Sequence, residues 1–565
     1  MIKQVFVVLF ILVSIFFLPA QVLANDMRLP VLSAMENELT RSMDALKLDD
    51  YKTPYFIAYQ LTTHETYSIT AQYGSLYRKG HTKNGTLYVE VRVGDYAFDN
   101  TGNLDDYFPF SMKEGLPISS AAPVGDNLKA LKNTLWLLTD RQYREALNQY
   151  LQRRGDGVYE KQDRSIASFS KEKKSRFIGD EKNVSFDQEQ WESRLVALSN
   201  RFKAHPEIIQ SRLKLSAEKQ VRYYVTSEST RIVDERIMLM LTVDAEARAS
   251  DDMVLTNSRA FYAPSSHDMP TMKEMTEAID SMVAELSALR TAPVLDPYTG
   301  PAILTARATG VLFHEAIGHR LEGERQNSEG EGRTYKGQVS QKILPDFLSL
   351  TEDPTLKKWG TIFLNGHYDY DNEGIAARRT ELVKDGTLLT YMLSRTPVEG
   401  FIQSNGHGRS SGNRKPMARM GNLILSSNKT VTFATLKKNL IQMVKDQNKP
   451  YGLIIHDMEG GSTNTSSYGY QAFKGIPRIV IRVFPDGREE LVRGVEMVGT
   501  PLMSVNKIIQ ASTETGVFNG FCGAESGWVP VSAIAPAVLL KEIELQRKKE
   551  NKVRSPVLKS PFNGR

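Results

Sequence analysis

Leu32, Met35, Leu39, Met43 and Leu46 fall three or four positions apart between about residues 31 and 46, the spacing of one apolar helix face. The period then changes. Leu87, Val89, Val91 and Val93 alternate with Tyr88, Glu90 and Arg92, which predicts a half-buried strand, and Asn84-Gly85 ahead of it reads as a hairpin turn. Residues from about 127 to 153 return to helical spacing and end at Gly155-Asp156-Gly157. The charged stretch 160–220 reads as helices on the outside of a domain, followed by strands near Arg222–Val225 and Ile237–Val243. Met275, Ile279, Met282, Val283 and Leu286 mark another helix, stopped by Pro293, with the methionines as core filler.

Beyond Pro293, Gly and Asn become frequent, and turns such as Asp385-Gly386 and Asp486-Gly487 separate short apolar runs. Strands are predicted at Leu453–Ile455, Arg478–Val483 and Glu489–Arg493. The expected class is α+β, with an N-terminal domain of mixed helices and strands over 25–295 and a strand-rich C-terminal catalytic domain over 296–565. Ahead of both, Lys3, an uncharged apolar run to Leu18, Pro19 and the small residues closing at Ala24 form a signal peptide, 1–24. An uncleaved anchor competes with that reading, because no charge appears from Gln4 to Asn25. No other segment has the length of a membrane-spanning helix, so the mature chain is expected to be exported, periplasmic or secreted, and off the membrane.

Composition narrows the classes further. With 41% apolar and 24% charged residues the chain is neither disordered nor fibrous. A net charge of +5, with basic runs only as short as Lys171–Lys174 and Arg547–Lys549, gives no footprint for nucleic acid. A single cysteine excludes a disulfide scaffold.

Five of the nine histidines and the only cysteine lie beyond residue 295. Two share one phrase, Phe313-His314-Glu315-Ala316-Ile317-Gly318-His319. Hydrolysis on a metal needs neutral imidazoles to fix a Lewis acid and a carboxylate to take a proton from water, and adjacent His314 and Glu315 supply both. Imidazoles four residues apart on a helix are offset by about 40° and share a face, whereas a five-residue spacing offsets them by about 140°. Gly318 offers a place for the helix to widen or end and turn His319 inward; two structural histidines on an unbroken helix is the alternative. Two imidazoles leave a zinc site one protein ligand short. Cys522, in the loop-like context Phe521-Cys522-Gly523-Ala524-Glu525-Ser526-Gly527, is the candidate third; a buried cysteine acting as a small hydrophobe is the plain alternative.

The phrase from Gly310 through Glu324 resembles the metal motif of the TldD/PmbA family of metallopeptidases. Tyr298–Leu304 resembles the family's lead-in to that helix. Asp371-Asn372-Glu373-Gly374, Pro416–Asn422, Gly499-Thr500-Pro501-Leu502 and Gly520-Phe521-Cys522-Gly523 resemble its later signatures, and the ending around Ala537–Glu542 fits too. The resemblance runs from about 295 to 548, and the complete metal set is that of the TldD type. It implies one zinc per chain on His314, His319 and Cys522, Glu315 as general base, and pairing with an identical or related subunit. It further implies a narrow groove for unfolded or small peptides, whose backbone adds to a sheet edge. The signal peptide and additional N-terminal length depart from typical cytoplasmic members and leave the natural substrate and partner open.

Other marked residues have plainer readings. His407 and Arg409 sit in a turn that could line the groove; Gly460-Gly461-Ser462 is either a loop or a place where a peptide backbone comes close; His367 and His456 read as structural. Asp369 and Asp371 lack the following carboxylates of a calcium loop. The leading expectation is a zinc-dependent peptidase. Its rivals are a non-catalytic peptide-binding or assembly subunit of a TldD/PmbA-like complex and a metal-free hydrolase using Cys522 as nucleophile.

Overall fold

The computed structural model describes residues 26–101, 118–123, 125, 127–159, 166–327, 334–463, 473–499, 501–549, 553–554, 556, 558 and 560–562. The signal peptide read at 1–24 lies outside the described residues.

Long alternating strands build the first unit. β1 (Pro54–Gln72), β2 (Ser75–Val93), β3 (Ser119–Ala121), β4 (Arg176–Ile178), β5 (Ile208–Thr226), β6 (Arg231–Arg248) and β7 (Val254–Ala263) make a seven-stranded sheet. Its order is β3-β2-β1-β5-β6-β4, with β7 paired to β6. One face, with Tyr59, Leu61, Leu213, Leu215, Leu239 and Leu241, is covered by α1 (Arg28–Ala45), α2 (Leu128–Tyr159), α3 (Gln188–Asn200) and α4 (Met272–Thr291). In α4 the stripe Met275, Ile279, Met282, Val283 and Leu286 is buried as its spacing predicts, and Thr271 and Glu274 cap each other's backbone at its start.

Two sequence readings of this half need correction. The β1–β2 turn is Tyr73-Gly74, both left-handed (φ 43° and 72°), the twist a tight hairpin needs. Asn84-Gly85 lies inside β2, where a Cβ on Gly85 would sit 3.0 Å from that of Ala122. Among the described residues of 160–220 the only α-helix is α3, and Ile208–Thr226 is a strand. Leu213, Leu215 and Ala217 alternate there with exposed Arg212 and Lys214, so the charge marks one face of a strand.

The second unit is a twelve-stranded sheet centred on β8 (Tyr298–Leu304). β9 (Gly452–Thr463) runs parallel to β8, and β10 (Phe473–Val483) pairs with β9. β11 (Ile508–Ala524) and β12 (Gly527–Arg547) form a hairpin whose second strand pairs with the other edge of β8. α5 (Ala306–Ala316) packs with Ala302 and Leu304, while α6 (Phe433–Asp446) packs with Ile303 on the opposite face. With helices on both sides, β8 is apolar almost throughout rather than alternating.

The free face of the first sheet meets this unit through buried arginines. Arg222 donates to the carbonyls of Tyr370 and Asp371, and Arg236 donates to that of Asn365. Fully buried Arg395 bridges to Glu228 (2.7 and 2.9 Å) and to the Ser170 carbonyl. Arg478 of β10 reaches the Ser258 carbonyl of β7 (3.0 Å). The groove that carries the site opens between these strands.

Candidate metal centre

α5 leaves β8 through Thr305 and carries His314 and Glu315 on its last turn. The α-helix ends at Ala316, and Gly318–Leu321 tightens into a 3₁₀ turn, so the five-residue spacing is not read on a continuous α-helix. The two rings then meet edge to face, with centroids 5.1 Å apart at 86°. A Cβ on Gly318 would lie 2.1 Å from Sδ of buried Met420, so any larger residue there must displace that side chain.

Cys522 reaches the same point from 203 residues further along the chain, its Sγ 3.3 Å from His319 Nε2. It stands on β11, not in a loop as its glycine neighbours suggest; the hairpin turns only after Ala524, with Gly527 at φ 92°. One ligand-type atom from each of His314, His319 and Cys522 lies within 4.8 Å of the others, and all three residues are buried. His314 Nδ1 is buried with no hydrogen-bond partner among the described residues. Two imidazoles and a thiolate are a donor set suited to zinc, and an unsatisfied ring nitrogen fits a site made for a cation.

Charged groups behind the rings hold them. His319 Nδ1 lies 3.0 Å from Glu322 Oε1, which aims Nε2 at Cys522. Arg325 donates to the other Glu322 oxygen (2.7 Å) and reaches Glu525 (2.9 Å). Arg419, fully buried, lies 3.4 Å from Glu322 and donates to the Cys522 carbonyl (2.8 Å), Ser526 Oγ and the Gly527 carbonyl. Burial opposes charge on Glu322, but His319, Arg325 and Arg419 hold its carboxyl down at about 2. Burial also works against a Cys522 thiolate, yet His319, His314 and Arg419 pull the thiol well below its usual value. His319 is disfavoured by burial and favoured more strongly by Cys522 and Glu322, which raise it. The shift of Cys522 is toward the thiolate, the form in which a cysteine binds a metal. Glu315 Oε2 lies 3.9 Å from His319 Nε2.

These groups open into a cavity of about 1170 Å³. Its floor is the α5 stripe Arg307, Val311, His314 and Glu315; β7, β9, β10 and the β11–β12 hairpin supply its walls. Gly460 and Gly461 line it from a strand, and His456 lines it without joining the cluster. His407 is fully buried, its Nδ1 2.8 Å from Asn405, and Arg409 is buried too, so neither is a groove residue. His367 Nδ1 faces the Pro354 carbonyl, and Asp371 accepts the backbone N–H groups of Glu373, Ile375 and Gly408 as a turn organiser. The sequence reading gave no role to Glu322, Arg325 and Arg419, although Glu322 and Arg419 lie in the stretches that resemble the family's motifs. Glu322 was within reach, three residues after His319 in a turn, whereas Arg419 is brought in by the tertiary fold.

Fold and site together define a two-domain α+β protein with a His–His–Cys centre in a long groove of its second sheet. Residues 297–547 match the family model described as the PmbA/TldA metallopeptidase C-terminal domain, and over that stretch the chain is similar to the TldD/PmbA family. A protein named metalloprotease from Archaeoglobus fulgidus is 27% identical over 274 residues, 47% of this chain and 59% of that protein. A protein named zinc metalloprotease TldD homolog, from Saccharolobus solfataricus, is 24% identical over 247 residues, 43% of this chain and 51% of that one. The matches thus span a little over half the length of these relatives. The crystal structure of TldE from Thermococcus kodakarensis superposes with a TM-score of 0.58 at 11% identity, covering 91% of this chain and 100% of that one, which shows a shared fold.

Proposed function

We propose that the chain is a zinc-dependent peptidase that hydrolyses unfolded or small peptides held extended in the groove. The observation that carries this reading is the convergence of His314, His319 and Cys522 beside the Glu315 carboxylate on the groove floor. His314, His319 and Cys522 would hold the ion. Zinc bound there would supply the Lewis acidity that activates a water and polarises the scissile carbonyl. Glu315 takes the proton of the attacking water and returns it to the leaving amine. Beyond Ile455, β9 pairs only with β10 among the described residues, so its other edge offers main-chain groups to a peptide along the α5 stripe. Such binding reads backbone and tolerates many side chains.

Metal content per chain, measured on protein purified without chelators, tests this directly. About one zinc is expected in wild type and far less in Cys522→Ser. Glu315→Ala should keep the metal and lose about a hundredfold or more in turnover. A metal-free wild type, or a fully active Glu315→Ala, would overturn the reading.

A further inference from the structure

Arg307 stands on the first turn of α5, seven residues before His314, on the same stripe as Val311, His314 and Glu315. At 1.5 Å per residue its Cα lies about 10 Å from that of His314 along the helix axis, a distance an extended peptide covers in about three residues. The side chain is half exposed and held from two sides. Its Nε donates to Asp457 Oδ1 (3.2 Å), and its guanidinium carbon lies 5.8 Å from the centre of the Phe518 ring. Nη1 and Nη2 make no hydrogen bond to the described residues, although the residue borders the groove. Asp457 is shared with Arg478 (3.2 Å), and the neighbouring Arg259 is paired with Glu285 (2.7 Å). Among the described residues Asp457 thus serves both Arg307 and Arg478, while Glu285 serves Arg259.

We propose that Arg307 is a specificity-determining residue that reads a carboxylate on the bound peptide, about three residues from the bond placed at His314. The pre-positioned fork offers two free donors in the geometry a carboxylate accepts. A neutral side chain at the same place leaves the two Nη groups of Arg307 without a charged acceptor. The carboxylate comes from an acidic side chain or from the peptide's own C-terminus. This assignment deepens the peptidase reading and rests on its placement of the peptide along α5.

The test uses the full chain loaded with zinc and a set of neutral peptides, amidated at the C-terminus, in which one Glu is walked a position at a time. Matched Gln peptides and free-acid versions complete the set. Cleavage is read as kcat/KM, and binding is read by anisotropy of labelled peptides on Glu315→Gln. A Glu-over-Gln ratio of about tenfold is expected at the position three residues from the bond, in both readouts, and close to one elsewhere. Arg307→Gln should bring that ratio to about one, and Arg307→Lys should keep part of it. If free-acid peptides show the preference and internal Glu does not, the group read is the terminal carboxylate. An unchanged ratio in Arg307→Gln, or cleavage indifferent to Glu everywhere, overturns the assignment and leaves the peptidase standing. Peptides that bind with an Arg307-dependent preference but are never cut do the reverse.

Discussion

Glu322 touches neither groove nor candidate ligand atoms on the open side, yet it decides how His319 is presented. A ring whose Nδ1 faces a carboxylate has its tautomer and tilt fixed, leaving Nε2 as the donor. Arg325 and Arg419 lock that carboxylate in turn, and Arg419 also grips the backbone of the β11–β12 hairpin that carries Cys522. One carboxylate therefore couples ligands from distant parts of the chain. Glu322→Gln keeps the shape and removes the charge. It is expected to weaken zinc binding by about 10- to 100-fold, read by chelator competition. An unchanged affinity would reduce Glu322 to a packing group. His314, His319 and Cys522 could be marked from sequence because His and Cys are rare in this chain, and Glu315 because it adjoins His314. Arginines are common, so Arg325 has no distinguishing mark in the sequence, and Arg419 has only its place in the Pro416–Asn422 stretch that resembles a family signature.

At the scale of elements, the end of α5 is the decisive local event. A regular helix would splay residues 314 and 319, and the change to a 3₁₀ turn at Gly318 brings the rings together. That turn brings Gly318 close against Met420. Gly318→Ala should cost about 1–3 kcal/mol by overpacking, lowering the melting temperature and zinc content together, with Met420→Ala restoring part of both in the double variant. No loss in Gly318→Ala would show that Met420 has room to move. Sequence periodicity captured α1, α2 and α4, and the His-Glu phrase of α5 was marked by its chemistry. Periodicity failed for Cys522 and for residues 208–220, where glycine neighbours and charges had suggested a loop and outer helices, while the strand expected at Arg222–Val225 is the end of β5. Both lie on strands whose exposed positions tolerate such residues.

Over the whole molecule, stability depends on groups that the site never uses. Glu352 is fully buried where Leu348–Glu352 meets the Gly421 turn; Gly421 N–H bonds one of its oxygens and the other has no partner among the described residues. Burial pushes its carboxyl up to about 8, against the opposing pull of Gly421 and Arg409. Unfolded, the same group ionises near 4.5, so above that pH the unfolded chain releases a proton the folded one retains. The contribution to stability is whole below about pH 4.5 and is lost as the pH rises to about 8. The melting temperature should fall by on the order of 5 °C across that range, and Glu352→Gln should remove this part of the slope. A slope unchanged in Glu352→Gln would assign it to other groups. By itself the sequence determined the α+β class, the helix phrase with its His-Glu pair and a cysteine in need of a role, because periodicity and rare side chains are local properties. Only the tertiary structure decided that Cys522 meets His319, that Glu322 and Arg419 brace them, and that Arg307 borders the groove. Those relations depend on strands paired across hundreds of residues, whose register is set by packing on both sheet faces rather than by any neighbour in the chain.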